Sequence, residues 1–197
     1  MLFDFTQNYV LENERVILTP LSTNHRDDLK KVAKEALIWK YFLGNSNGYN
    51  KMDEYLANAL QGRENSNSYS FTIFDKEREQ YAGSTRFFDF SEEFNTVRMG
   101  YSWIGQKFWG TRLNKNCKYL LFEFAFDTMG FERIGLGAHS ENIISIAAMK
   151  SLGCKQEGII RNIFPSIDGE GRSDAILFGA LKEEWYASLK DNLKNRL

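Results

Sequence analysis

Hydrophobic and polar residues alternate in several short segments of the chain, a pattern typical of half-buried β-strands. Charged turns separate the central segments, with DKERE over residues 75–79 and SEEFN over residues 91–95. Three strands in direct succession around these turns indicate an antiparallel meander. The alternation predicts seven strands, over residues 15–20, 69–74, 81–90, 97–104, 133–138, 154–161 and 174–181.

Elsewhere apolar residues recur every three or four positions, the spacing that places them on one face of an α-helix. Ser22 or Thr23 is a candidate N-cap for the first helix and Asn50 for the second, since short polar side chains accept hydrogen bonds from a first helical turn. Gly130 ends the long central helix, and residues 42–50 form a polar loop. The spacing predicts helices over residues 29–37, 52–60, 113–125, 143–149 and in the tail 182–197.

The length of 197 residues suits one domain that spans residues 1–197. Its 16 Phe, 9 Tyr and 4 Trp supply the bulky side chains of one core, so neither a disulfide nor a metal is needed to hold it. We see no repeat or linker, and a strand meander followed by a strand, helix, strand unit predicts an α+β (mixed α/β) fold.

The charges narrow the class of ligand. Lys and Arg (25) nearly balance Asp and Glu (26), so no field attracts nucleic acid or acidic lipid, and a small molecule or a protein is the expected partner. Cys117 and Cys154 suit reduced thiols, and with His25 and His139 they form no zinc spacing. Without a basic leader or an apolar run near 18 residues, we expect a soluble, cytoplasmic protein that binds no membrane.

The segment with the clearest chemistry is WIGQKFWGTRLN, residues 103–114, a strand that ends in a glycine turn and opens into a helix. The first N–H groups of a helix have no internal partner and carry partial positive charge, so such a turn can hold a phosphate. Lys107, Arg112 and Lys115 add charge around it. Most glycine turns before helices are only turns, and that alternative stays open on this motif alone.

The chain resembles the GNAT acyltransferase superfamily, most closely its ribosomal-protein N-acetyltransferase-like enzymes. The likeness covers about residues 12–186 and begins with LENERVILTPLS. It is densest in GYSWIGQKFWGTRLN, KYLLFEFAFDTMGFERI, the start of the helix at Asn142-x-x-Ser145, SLGCKQEGIIR, DGEGRSD and the closing EEW. Six such segments occur in the family's order and spacing.

The resemblance implies a central, mostly antiparallel twisted sheet of about seven strands with helices on both faces, and acetyl-CoA as the acyl donor. The pyrophosphate would lie on the turn from Lys107 to Arg112, and the pantetheine between the diverging ends of strands 97–104 and 133–138. The donor-binding residues implied are Trp103, Ile104, Lys107, Trp109, Gly110, Thr111, Arg112, Leu113, Asn114, Asn142 and Ser145.

Two positions of the turn depart from the family's Gln/Arg-x-x-Gly-x-Gly/Ala pattern. Gly110 matches, but Lys107 replaces the usual Gln or Arg, and Arg112 replaces a residue without bulk. We expect Arg112 to turn its guanidinium outward onto the phosphates.

The reaction needs a neutral amine, a stabilised oxyanion and a leaving thiolate. The resemblance implies a bulge near Trp103 and Ile104 that aims a main-chain N–H at the thioester carbonyl, and places Ser145 close to the sulfur. Many relatives carry a Tyr after the Asn, and NIISIAAMKSLG has none. His139 is our choice of general base, with Glu141, a water chain and a purely hydrogen-bonded His139 as alternatives.

The acceptor is expected to be a primary amine, of a protein N-terminus or a small molecule. Tyr101, Arg86, Phe88 and Phe42 could line its pocket, although aromatic residues there are more often core. The acidic SEEFN loop mildly favours a cationic acceptor. The alternative function is a non-catalytic CoA-binding sensor, which the altered turn and the missing Tyr suggest. Aromatic strand edges and dimeric relatives predict a homodimer.

Overall fold

The computed structural model describes residues 3–42 and 49–197. Eight strands of these residues form one sheet, and they are β1 (Leu11–Glu12), β2 (Val16–Pro20), β3 (Ser68–Asp75), β4 (Gln80–Ser91), β5 (Thr96–Ile104), β6 (Arg133–His139), β7 (Lys155–Pro165) and β8 (Arg172–Leu181). Their order in the sheet is β1-β2-β3-β4-β5-β6-β8-β7. Neighbouring strands are antiparallel except β5 and β6, which are parallel.

The seven predicted strands are all present, and the meander is β3, β4 and β5. Strand β1 was not predicted, because two residues are too few for alternation to show. Strand β7 continues to Pro165 rather than ending at residue 161, since it pairs with β8 along a long hairpin. The mixed, mostly antiparallel sheet confirms the expected fold class.

The helical segments lie between or after these strands. They are α1 (Arg26–Val32), α2 (Ala36–Trp39), α3 (Met52–Glu64), α4 (Leu113–Glu123), α5 (Ile143–Ser151), α6 (Lys182–Glu184) and α7 (Lys190–Lys194), with π-turns at Phe124–Thr128 and Trp185–Leu189 and 3-10 turns at Thr23–His25, Tyr49–Lys51 and Gln106–Phe108. Within the described ranges no helix is both long and apolar enough to cross a membrane.

Two details of the helix prediction are wrong. The first apolar stripe is divided into α1 and α2, because Glu35 is extended (ψ 116°) and its carboxylate accepts a hydrogen bond from the Gln106 main-chain N at 2.7 Å. Asn50 is not an N-cap, since it lies inside a 3-10 turn and Lys51 occupies the cap of α3. Most of the predicted loop 42–50 falls on residues 43–48, which lie outside the described residues.

Helices cover both faces of the sheet. Neighbouring residues of a strand point to opposite faces, so Ser84 and Thr85 of β4 mark the two sides. On one side α4 reaches Thr85 through Lys118. On the other, α2 and α3 pack on Trp103, the cross-strand partner of Ser84. We call this second side the acceptor face, because it carries Arg86 and the other residues expected to line the pocket for the acceptor amine.

Candidate active site

The sheet opens between its two parallel strands. β5 and β6 pair over only three residue pairs, the last of which is Arg98 with Gly135. Beyond that point β5 stays paired with β4 as far as Ile104, and β6 stays paired with β8 as far as His139. The two strands therefore diverge and leave a wedge-shaped gap at their carboxyl ends.

A β-bulge adjoins the gap. Two residues of β5, Tyr101 and Ser102, lie opposite the single residue Thr85 of β4. Tyr101 adopts a left-handed φ of 49°, which is uncommon for any residue except glycine and concentrates at functional sites. The bulge precedes the predicted position at Trp103 and Ile104, because regular pairing with β4 resumes at Trp103.

The main chain of Ile104 faces the gap. The N–H of Gly105 donates to the carbonyl of Ala82 at 2.9 Å, and in an antiparallel pair bonded and non-bonded residue pairs alternate. The preceding pair, Gly83 with Ile104, is therefore non-bonded, and the Ile104 N–H points away from β4. The Trp109 indole donates to the Ile104 carbonyl at 2.8 Å from the same side.

The turn before α4 leaves main-chain donors free. Gly110 (φ 74°) and Arg112 (φ 64°) are both left-handed, and Arg112 is the N-cap of α4. In the described part of the chain, the N–H groups of Leu113, Asn114 and Lys115 have no acceptor. Because the helix dipole adds partial positive charge there, this helix start suits a phosphate.

The charged side chains of the turn are held by neighbours. Arg112 Nη1 donates to the main-chain oxygen of Leu197 at 2.8 Å, so its guanidinium is directed towards the end of the last helix. Lys107 Nζ bonds the Gln80 side chain. The expectation that Arg112 faces a phosphate therefore needs the Leu197 contact to be shared or exchanged.

A third cation joins this corner from the far end of the chain. Arg112 bonds the main-chain oxygen of Leu197, the chain neighbour of Arg196, so the end of the chain lies beside the start of α4. Burial lowers the pKa of Lys115, and the positive charges of Arg196 and Arg112 lower it further. Arg196 is held by a 2.9 Å bond to the Ser151 carbonyl. A surface cavity of about 360 Å³ adjoins it, lined by Leu152, Gly153, Leu189, Asn192, Leu193, Asn195 and Arg196. Sequence reasoning missed Arg196, which only folding brings to α4.

The remaining residues of the turn serve its shape. Thr111 Oγ1 donates to the Phe108 carbonyl at 2.7 Å, and Leu113 is fully buried, so its side chain belongs to the core. Trp109 is 37% exposed, with one edge available.

The start of α5 borders the gap beyond β6. Asn142 Oδ1 accepts a hydrogen bond from the Ser145 N at 3.1 Å, which is the N-cap that the sequence indicated. Ser145 is half-buried.

His139 ends β6 and is 3% exposed. Its Nδ1 accepts a hydrogen bond from the Glu141 N at 3.2 Å, so the neutral ring carries its proton on Nε2, which has no partner. The ring stacks on Phe164 at 5.6 Å and lies 5.5 Å from the Tyr41 ring. This geometry does not support our choice of His139 as the general base, because the nitrogen left free is a donor.

Aromatic rings line the acceptor face beside the bulge. The Trp103 ring lies 5.1 Å from that of Trp39 and 6.0 Å from that of Tyr55. The Arg86 guanidinium lies 4.6 Å from the Tyr101 ring, which is 43% exposed.

Phe42 and Phe88 complete this group, with ring centroids 6.1 Å and 5.1 Å from that of Tyr101. The four predicted acceptor residues, Tyr101, Arg86, Phe88 and Phe42, are therefore brought together by the fold.

A buried lysine lies under the bulge on the opposite face. Lys118 Nζ donates to Ser102 Oγ at 2.7 Å and to Thr85 Oγ1 at 3.0 Å. Burial lowers the pKa of this amine. No pattern in the sequence predicts this buried lysine, because a lysine in an amphipathic helix is usually on the solvent side.

The acidic SEEFN loop is remote from the gap. It joins β4 to β5 at the Ser91–Thr96 pair, and the nine residues of β5 separate it from Ile104. At about 3.3 Å per residue the distance is about 26 Å. The expectation that this loop favours a cationic acceptor is not supported, because the loop cannot contact an amine that reacts beside Ile104.

A sheet that opens beside a helix start with unpaired N–H groups suits an acyltransferase that uses a CoA thioester, whose phosphates need such donors. Residues 15–155 match the family described as acetyltransferase (GNAT) domain. The chain belongs to the GNAT acetyltransferase family. It is an N-acetyltransferase for which acetyl-CoA is the cosubstrate.

Three similar proteins are acetyltransferases by name. The N-acetyltransferase p20 of Bacillus licheniformis is 27% identical over 128 residues, which are 64% of this chain and 67% of p20. A GCN5-related N-acetyltransferase from Brucella melitensis has a TM-score of 0.85 at 21% identity, over 96% of this chain and 85% of that one. The ribosomal-protein-S5-alanine acetyltransferase from Vibrio fischeri has a TM-score of 0.72 at 13% identity, over 90% and 98%. The two structural likenesses support the fold alone.

Proposed function

We propose that the protein transfers an acetyl group from acetyl-CoA to a primary amine, of a small molecule or a protein N-terminus, by direct attack in a ternary complex. The observation that carries this is the Ile104 N–H, which points into the gap between β5 and β6. The unpaired N–H groups at the start of α4 lie beyond the same end of β5 as Ile104. One extended ligand can therefore contact these groups and the Ile104 N–H.

The donor site proposed is built largely from main chain. The pyrophosphate is bound by the N–H groups that follow Arg112, with charge from Lys115 and Arg196. Asn142 and Ser145 line the pantetheine on the α5 side. Trp109 holds the Ile104 carbonyl and thereby fixes the peptide that carries the catalytic N–H.

The chemistry that acetyl-CoA supplies is a thioester: the amine nitrogen bonds to its carbonyl carbon, the C–S bond breaks, and the thiolate leaves. Negative charge on the carbonyl oxygen is stabilised by the Ile104 N–H, and a fixed donor of this kind contributes about 100-fold or more to a rate. His139 Nε2–H is a second donor on the acceptor face. The amine proton passes to solvent, because the free nitrogen of His139 is already protonated.

One substitution at the helix start tests the donor site. Asn114→Pro removes a main-chain N–H that has no protein acceptor, and the first turn of a helix tolerates proline. Asn114→Ala removes only the side chain and is the matched control. We expect the proline variant to bind CoA at least about tenfold more weakly by calorimetry, with the alanine variant close to the parent. Equal affinity of both variants would exclude phosphate binding at this turn.

Thiol release from acetyl-CoA, measured against a panel of amines, tests the transfer itself. A rate above background with any amine supports the enzyme. The second candidate, a CoA sensor without turnover, is favoured by Arg112, which occupies the phosphate turn and is tied to Leu197. Tight CoA binding with only background rates for every amine would favour the sensor.

We also propose that the protein acts as a homodimer through β7. This edge strand exposes Ile159 (56%), Ile160 (40%) and Ile163 (42%), apolar surface of the kind that marks interfaces. Light scattering should give twice the monomer mass for the parent and the monomer mass for Ile159→Lys with Ile163→Lys. Val10→Lys, at a site 57% exposed elsewhere, is the control.

A further inference from the structure

Unpartnered polar atoms are concentrated on the acceptor face. Within residues 3–42 and 49–197, five buried side-chain polar atoms have no hydrogen-bond partner. Four of them belong to Tyr55, Ser70, Arg86 and Trp103, and the fifth to His139. Native proteins leave few such atoms, and each one calls for an explanation.

The four atoms lie in one place. Ser70 and Arg86 are direct cross-strand partners, so their side chains stand side by side on the same face. The Arg86 guanidinium carbon is 5.9 Å from the Tyr55 ring centroid, and that centroid is 6.0 Å from the Trp103 ring. Tyr55, Ser70 and Trp103 are 2%, 4% and 3% exposed. They therefore form one buried cluster of unpartnered polar groups beside the gap.

All four groups can donate. The guanidinium and the indole can only donate, and the two hydroxyls can donate or accept. Among the described residues Arg86 Nε has no hydrogen-bond partner, and the guanidinium lies over the rings of Tyr55 and Tyr101. A cation among donors that lack acceptors fits an anion, and a guanidinium between aromatic walls suits the planar carboxylate, which it binds by two parallel hydrogen bonds.

The site lies within reach of the transfer centre. Arg86 is opposite Gly100 and Ile104 is opposite Gly83, so the two positions are three residues apart along β4, about 10 Å. The length of the arginine side chain shortens this separation. The anion and the reacting amine can therefore belong to one small molecule with a few bonds between them.

We propose that Arg86 binds a carboxylate of the acceptor, with Trp103 Nε1, Tyr55 Oη and Ser70 Oγ as further donors, and that the acceptor is an amino-acid-like amine. The inference rests on the proposed acetyl transfer. It replaces the cationic acceptor that the SEEFN loop suggested.

Matched pairs of amines test this. Thiol release is measured with acetyl-CoA and glycine, L-leucine, β-alanine or 4-aminobutanoate, each beside its amide, which lacks the negative charge, and beside an aminophosphonate of similar length. The parent should prefer at least one carboxylate over its amide by at least about tenfold in kcat/KM. Arg86→Gln should abolish that preference through KM, so that acid and amide react with similar kcat/KM, and Arg86→Lys should restore part of it.

Arg98→Gln is the control. Arg98 lies on the neighbouring strand β5, stacks on Phe88 at 5.0 Å and pairs with Asp89, so its loss removes an arginine without touching the four donors. Calorimetric titration with CoA shows that each variant keeps its fold and donor site.

A binding titration distinguishes failure of this inference from failure of the proposed function. The same carboxylates, amides and aminophosphonates are titrated into the parent and into Arg86→Gln, each saturated with CoA. If no amine reacts yet carboxylates bind the parent and not Arg86→Gln, the transfer proposal fails and the anion site stands. Equal binding of acid and amide to the parent, an unchanged preference in Arg86→Gln, or tighter binding of the phosphonates would overturn the carboxylate assignment.

Discussion

Gly83 of β4 controls the position of the Ile104 peptide. A Cβ on this glycine would lie 1.9 Å from the Trp103 carbonyl oxygen, 2.9 Å from its carbon and 3.0 Å from Ile104 Cα. All three are backbone atoms, which cannot turn aside as a side chain can. Gly83→Ala must therefore separate the two strands by about 1.1 Å to reach 3.0 Å, the shortest distance real Cβ atoms tolerate.

The loss of stability follows from the hydrogen bonds that this shift breaks. The pair Ser84 with Trp103 is hydrogen-bonded, and a shift of this size lengthens both of its bonds beyond the useful range. Two lost hydrogen bonds at about 1 kcal/mol each and strain of about 1–3 kcal/mol give a loss of about 3–5 kcal/mol. For a chain of this size that lowers Tm by roughly 6–20 °C. If the Ile104 N–H stabilises the oxyanion as proposed, a displacement of about 1 Å costs about 100-fold in rate.

Urea denaturation followed by circular dichroism measures the stability, and thiol release at 15 °C measures the rate of the folded fraction. Gly158→Ala is the matched control, because a Cβ there meets no atom within 4 Å and should change stability by less than about 0.5 kcal/mol. A Gly83→Ala protein with parental stability and rate would refute the argument that this close approach sets the Ile104 peptide.

Three further substitutions test single groups. Lys118→Met should stabilise the protein by about 1–4 kcal/mol at pH 7. Burial lowers the native pKa of Lys118, so the parent protein gains stability as the pH rises towards 10.5. The advantage in Tm of the Met variant should therefore shrink over that range. A gain that grows with pH would contradict this sign. A glycine in Arg112→Gly suits the left-handed turn, so the free energy of unfolding should change by less than about 1 kcal/mol. CoA binding should weaken several-fold at low salt. Tighter binding would show that Arg112 obstructs the phosphates. His139→Gln should keep at least about a tenth of kcat and the parental pH profile, and a loss above about 100-fold with a changed profile would restore His139 as the base.

The strands were predictable because each carries its own signal. Alternation over residues 81–90 and 97–104 reports one buried and one less buried face, a property of the strand itself. The division between α1 and α2 was not predictable, since it depends on a bond from Gln106 to Glu35, 71 residues apart in the chain. Local patterns do not contain such partners.

Some features of the candidate site were also predictable from the sequence, and others were not. The glycine turn and the Asn142 cap could be identified from motif and order, and the residues of β4 and β5 proposed to bind the acceptor could be named from the family resemblance. The tautomer of His139 could not, because it is set by the Glu141 main-chain N–H in the folded turn. Arg196 and Lys118 gave no motif, and their roles appear only where α4 meets the last helix and the bulge.

The sequence by itself determined the elements, their order and the helix start at which we propose that phosphate binds, because hydrophobic spacing and unpaired helix N–H groups are local properties of the chain. Only the tertiary structure decided where β5 leaves β6, which main-chain N–H faces the gap, and that Tyr55, Ser70, Arg86 and Trp103 share one unsatisfied site. Those features depend on the register between strands and on packing across the sheet, which join residues that lie far apart in the chain.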